Sequence, residues 1–259
     1  DDVLEPYALA DQRLVNHDFD AGGVWDNVND WLKRLSQLDN DDWRPAALWA
    51  LKSHKDDGVF LDQFLRKLER LAASFLVRRV YTTPRVLRYL DLLRQLDDGE
   101  GLASPAFELS EDERSETKTR LGGEIYLVNP VRKYVLLRLD SLIASNPGAT
   151  YAHKVITVEH VLPQNPKAGS RWTSDFTEEE RLHWTHRLGN LVLLNRTKNS
   201  EAQNYDFDVK KAKYFTSNKG AALFALTTQV LGYEAWTPDV VETRHMELSR
   251  RLIAEWDLA

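Results

Sequence analysis

The chain has 259 residues, 42% of them hydrophobic, with eight Trp, no Cys and a formal charge of −6. That apolar content reads as a soluble globular protein with one large core or two ordinary ones, and the missing cysteines exclude disulfides and thiolate zinc sites. No stretch approaches the roughly 20 apolar residues of a membrane helix and the N-terminus lacks signal-peptide features, so no membrane association and a cytoplasmic location are expected.

The chain opens Asp1-Asp2-Val3 and its single methionine is Met246, which reads as a piece of a longer protein whose partner domain is missing. The first half has helical periodicity. Trp25, Val28, Trp31, Leu32, Leu35 and Leu38 recur at steps of three and four, as do Phe60, Leu61, Phe64, Leu65, Leu68, Leu71 and Phe75. Thr83-Pro84 and Asn129-Pro130 place a capping residue before a proline, and Ser110 with Glu113 fits a capping box. Helices are expected over residues 24–38, 45–54, 59–79, 84–96, 110–121 and 130–144. Ser145-Asn146-Pro147-Gly148 is the best boundary candidate, dividing a helical region at 1–149 from a second domain at 150–259.

After Thr150 the pattern changes. The apolar run Val155-Ile156-Thr157-Val158 ends on Glu159 and His160, with Pro163 breaking the strand just beyond. A capping box at Thr177 and Glu180 starts a helix, and the strand-like run Leu191-Val192-Leu193-Leu194 follows Gly189-Asn190. From Asn199 the chain is polar and basic, as a helix facing phosphates would be. A last helix starts at Thr237-Pro238 and carries Val241, His245, Leu248, Leu252 and Trp256 on one side, most simply for packing. Trp172, Trp184 and Trp236 are assigned to the core. The fold class is therefore mainly α with a small β element.

Phosphodiester hydrolysis needs a base to activate water and a cation to absorb developing charge. A neutral imidazole such as His160 suits the first task near neutral pH. Glu159 and Asn199 offer oxygen ligands for a hard divalent metal, Mg²⁺ or Mn²⁺. Adjacent strand residues point to opposite faces, so Glu159 and His160 share a site only where the strand ends or twists. Asn190 is placed to orient the His160 ring through its side-chain amide or its backbone carbonyl. From His186 to Lys219 seven basic residues (Arg187, Arg196, Lys198, Lys210, Lys211, Lys213, Lys219) face three acidic ones (Glu201, Asp206, Asp208), a local +4 in an acidic chain. Candidates for nucleic-acid contact are Gln164, His186, Arg196, Lys198, Asn204, Lys210 and Lys211.

These residues resemble the HNH, or ββα-metal, nuclease domain of GmrSD-type modification-dependent restriction enzymes. The resemblance rests on Glu159-His160-Val161-Leu162-Pro163-Gln164, Gly189-Asn190-Leu191-Val192-Leu193-Leu194 and Asn199-Ser200-Glu201-Ala202-Gln203-Asn204. The site is similar also to the HNH domain of CRISPR effector nucleases. More loosely, Phe207 through Lys210-Lys211 to Tyr214, and Trp236 to Trp256 with Arg244 between them, match the family's closing segments, and the helical first half looks like its accessory region. The resemblance implies His160 as general base, Glu159 and Asn199 as metal ligands and Asn190 as orienter. It implies DNA as substrate and a role in restriction and anti-phage defence, including the SspE-like branch; a single water-activating histidine points to cleavage by nicking. It also implies an N-terminal NTPase-like sensor domain of the same protein as partner. Two features depart from the compact plan: 30 residues separate His160 from Asn190, and the acidic ligand is Glu rather than Asp. Two other readings stay open: a catalytically silent nucleic-acid-binding module, and a helical interaction domain in which the Glu-His pair is incidental.

Overall fold

The computed structural model describes residues 4–19, 22–144, 156–195, 204–212, 216–217, 220–221 and 224–259. They are mainly α with a small β element, as expected. The chain divides into two compact units, Asp1–Thr117 and Lys118–Ala259.

The first unit holds α1 (Leu4–Asn16), α2 (Val24–Leu35), α3 (Arg44–Ser53), α4 (Gly58–Arg78), α5 (Thr82–Asp97) and most of α6 (Glu111–Leu121). The periodic apolar positions of α4 become a buried stripe of Leu61, Phe64, Leu65, Leu68, Leu71 and Phe75. Its start is capped by Asp57, whose carboxylate accepts from Phe60 N at 2.9 Å, and it ends where Arg79 turns left-handed at φ 58°. Gly58 is required there, because a Cβ would lie 2.6 Å from Val24 Cγ1. The capping box at α6 forms in both directions, Ser110 Oγ accepting from Glu113 N at 3.2 Å and Glu113 Oε2 from Ser110 N at 3.0 Å. At α5 and α7 the expected caps do not form: the helices begin at Thr82 and Asn129, so Thr83 and Asn129 already lie inside the first turn.

The second unit continues with α7 (Asn129–Ile143), β1 (Ile156–His160), α8 (Arg171–Asp175), α9 (Glu178–Trp184), β2 (Leu191–Asn195), α10 (Phe207–Lys210), β3 (Thr216–Ser217), β4 (Gly220–Ala221), α11 (Ala225–Leu231) and α12 (Pro238–Glu255). The division after Thr117 falls earlier than the expected border at 149/150. The reason is α7, which packs on β1, β2, α11 and α12 and buries Val131, Tyr134, Val135, Leu136 and Leu139.

β1 and β2 pair antiparallel, Glu159 opposite Val192 and His160 opposite Leu191, and the pairing runs one step further through Val161 N donating to Asn190 O at 3.0 Å. Leu191, Val192, Leu193 and Leu194 are all buried, so β2 is covered on both faces and reads as a continuous apolar run. β1 is half-buried until His160. Around the pair, Val161, Leu162, Trp172, Phe176, Phe207, Val230, Trp236 and Val241 close a core, with Trp184 half-buried against it. β3 and β4 form a separate short hairpin.

A 3-10 turn, Leu188–Asn190, leads into β2 and is clamped to α12. The fully buried Arg244 guanidinium donates to Gly189 O at 2.6 Å, Leu191 O at 3.1 Å and Leu226 O at 3.3 Å. Gly189 N donates to His245 Nδ1 at 3.3 Å. A Cβ on Gly189 would collide with the Val241 carbonyl oxygen and approach His245 Cβ to 2.7 Å. Gly189→Ala is therefore expected to destabilise the second unit by about 1–3 kcal/mol, because both obstacles belong to a packed helix. Urea unfolding followed by Trp fluorescence checks this; a midpoint equal to the parent's would show that turn and helix separate freely.

Candidate active site

β1 ends at His160, as its sequence predicts, and the chain bends away at once through Val161 and Leu162 into the core. The His160 ring is 4% exposed and both of its nitrogens have partners. Nε2 lies 3.3 Å from His186 Nδ1, and Nδ1 lies 3.3 Å from the side-chain nitrogen of Gln164. Tyr126 covers the cluster, its ring centroid 4.0 Å from that of His160 and 5.4 Å from that of His186, nearly parallel to the latter at 15°. Tyr126 N donates to His186 O at 3.1 Å, tying the turn before α7 to the turn before β2. The Arg132 guanidinium sits 4.4 Å over the other ring of this stack, Tyr126, and donates to Tyr126 O at 3.0 Å.

Burial first, then the repulsion a protonated ring would meet from His186, Lys210 and Arg132, pushes the His160 pKa down to about 3. The ring is thus neutral at physiological pH, so one of its nitrogens carries a lone pair and no proton. Glu159 is set back from this cluster. Its carboxylate, 17% exposed, lies 3.5 Å from Lys210 Nζ. Burial raises its pKa, and the nearby Lys210 ammonium and the His160 backbone N–H only partly offset that.

Lys210 corrects an expectation. A candidate for nucleic-acid contact from its place in the basic stretch, it is instead fully buried, and its ammonium donates to the His160 carbonyl oxygen at 2.7 Å and pairs with Glu159. Burial pushes its pKa down against the pull of Glu159. It braces the last residue of β1. Lys211 is also turned inward, donating to Tyr233 O at 2.6 Å and lying 5.4 Å over the Phe207 ring. Arg187 donates to His183 O at 2.8 Å and to Gly122 O. The described members of the basic stretch therefore build structure, and Arg196, Lys198, Asn199 and Lys213 lie outside the described residues. Asn204 is half-buried, beside the Tyr205 whose carbonyl accepts from Trp172 Nε1 at 3.0 Å.

Asn190 is the second correction. It is fully buried, and its side chain makes four hydrogen bonds, none to His160. Oδ1 accepts from Leu162 N at 2.7 Å and from Trp236 Nε1 at 3.2 Å. Nδ2 donates to Leu162 O at 2.9 Å and Thr185 O at 3.0 Å. An amide side chain has no further capacity. Its backbone carbonyl is engaged too, by Val161 N. Asn190 pins the bend after β1, and the His160 ring is oriented by other residues.

Among the described residues no cluster of three or more His, Asp and Glu could hold a metal ion. Glu159 still suits the expected ion, because its burial outweighs the one cation beside it, and an undercompensated carboxylate is a good oxygen donor to a hard cation. Its expected partner ligand, Asn199, is outside the described residues. Sequence reasoning missed Tyr126 and Arg132, which lie over 25 residues upstream in a segment with ordinary helical texture. A sequence model of the C-terminal domain of GmrSD restriction endonucleases matches residues 110–251, a span that includes both. No curated protein matches the chain.

Proposed function

The chain belongs to the GmrSD restriction endonucleases through their C-terminal domain, a nuclease domain of the restriction type, and from that premise we propose that it is a metal-dependent HNH endonuclease that nicks DNA. His160 takes the proton of the attacking water. The observation that carries this reading is the His160 ring itself: held neutral at the end of β1, with its Nδ1 in contact with the exposed Gln164 side chain.

A base whose conjugate acid is so weak in the free protein gains strength when substrate arrives. A phosphodiester brings negative charge next to Arg132, offsetting one of the potentials that drive the proton off His160. Arg132, half-buried and already aligned on Tyr126, is the cation placed to meet that phosphate. A divalent ion, Mg²⁺ or Mn²⁺, held by Glu159 and Asn199, would stabilise charge on the phosphate and the leaving oxygen. Glu159 would be its carboxylate donor, and the Lys210 ammonium 3.5 Å away favours the ionised form of that carboxylate.

The family match supports a place in restriction; we extend this to anti-phage defence, with a nucleotide-hydrolysing sensor domain of the same protein as regulator and the cytoplasm as the site of action. One water-activating histidine hydrolyses one strand per engagement. Supercoiled plasmid incubated with the chain and Mg²⁺ or Mn²⁺ is expected to give nicked circle first, with linear DNA later from opposing nicks, and no product in chelator. Linear product from the start, rising steeply with protein concentration, would mean that two chains cut together. No cleavage of modified or unmodified plasmid with either metal would leave a silent binding module.

A further inference from the structure

A histidine that acts as a base must carry its own proton on one nitrogen and present a lone pair on the other. Something must choose which. Asn190 cannot, because all four of its hydrogen-bonding positions are engaged with Leu162, Thr185 and Trp236. The choice falls to the two groups that touch the ring. The Gln164 amide nitrogen donates, so His160 Nδ1 accepts at 3.3 Å; Nε2 then carries the proton and donates to His186 Nδ1 at 3.3 Å.

The two partners differ in permanence. His186 is half-buried, its ring nearly parallel to Tyr126 and its carbonyl oxygen engaged by Tyr126 N at 3.1 Å. Gln164 is exposed and lies on the bend after β1. A water molecule can take the place of the Gln164 amide without disturbing the core, whereas displacing His186 would break its seat on Tyr126.

We propose that His186 is the positioning residue that sets the His160 tautomer, holding its proton on Nε2 and so presenting Nδ1 to the attacking water. The inference rests on the nuclease reading above. In the step itself an O–H bond of water breaks, its proton goes to His160 Nδ1, the water oxygen's electron pair forms the new bond to phosphorus, and the P–O bond to the leaving ester oxygen breaks, that oxygen keeping the pair and taking a proton from solvent. The imidazolium that results donates more strongly from Nε2, so the bond to His186 tightens as the barrier is crossed. An interaction that strengthens only then acts on kcat rather than KM.

The test uses the full chain, ¹⁵N-labelled, with the His160 ring assigned by comparison with His160→Gln in long-range ¹H–¹⁵N spectra. The parent is expected to show a protonated Nε2 and an unprotonated Nδ1. His186→Phe keeps an aromatic ring against Tyr126 but offers no acceptor; it should give mixed tautomers and lower kcat by about 10- to 100-fold, with KM changing by less than about twofold. His186→Asn restores an acceptor oxygen and should return most of the rate and the single tautomer. A parent ring protonated on Nδ1, or a His186→Phe ring that keeps the pure Nε2–H form, overturns the proposal. So does His186→Asn behaving no better than His186→Phe in the spectra. A parent that never cuts DNA overturns the nuclease reading instead, and the spectra still decide the role of His186.

Discussion

His160→Ala is expected to slow DNA cleavage by roughly 10²- to 10⁴-fold, the usual contribution of a general base. No other described residue can take over, since the nearest imidazole, His186, touches His160 through the nitrogen opposite the one that faces Gln164. DNA affinity should change little, because the phosphate contact proposed above is made by Arg132 and not by His160. The ring is buried against Tyr126 at 4.0 Å, so its removal also leaves a small void and a modest loss of stability. His160→Gln fills most of that space without offering a base, and should be as inactive as His160→Ala while folding better. Cleavage at the parental rate by either folded variant would remove His160 from the mechanism.

Helices were legible where one face is buried and the other is not. Residues 59–79 were expected and Gly58–Arg78 is observed, because a seven-member apolar stripe and the Asp57 cap agree. α1 went unread: only Ala10 and Leu14 of its thirteen residues are buried, too few to make a period. α7 is legible as a helix, but its packing with the second unit is not, since an apolar helix announces that it is covered and not by what. At the site, Glu159-His160 at a strand end and Asn190 before a second strand were visible because local sequence fixes where a strand stops. What each side chain touches was not. Lys210 looked like surface beside Lys211, yet it stands three residues after the buried Phe207, which in a helix puts the two on one face. That spacing was the available signal. Tyr126 and Arg132 had none, because their link to His160 is made only by folding.

Asn190→Ala is expected to act through stability, and strongly. The truncation strands the Leu162 and Trp236 N–H groups and the Leu162 and Thr185 carbonyls in the core, where Asn190 itself is fully buried. Each stranded group costs about 1–3 kcal/mol, and a domain's whole stability is about 5–15 kcal/mol. The second unit should therefore be largely unfolded or denature at far lower urea, with Trp236 fluorescence and the exchange rate of the Leu162 amide reporting the loss. Asn190→Asp should do no better: it keeps the acceptor for Leu162 N but sets an oxygen against two carbonyl oxygens. A residue that merely oriented His160 would behave differently, giving a folded protein with the parental urea midpoint and no activity. That result would return Asn190 to the catalytic machinery. Loss of the fold together with loss of cleavage would instead make Asn190 the pin that holds the bend after β1, on which the placement of His160 depends.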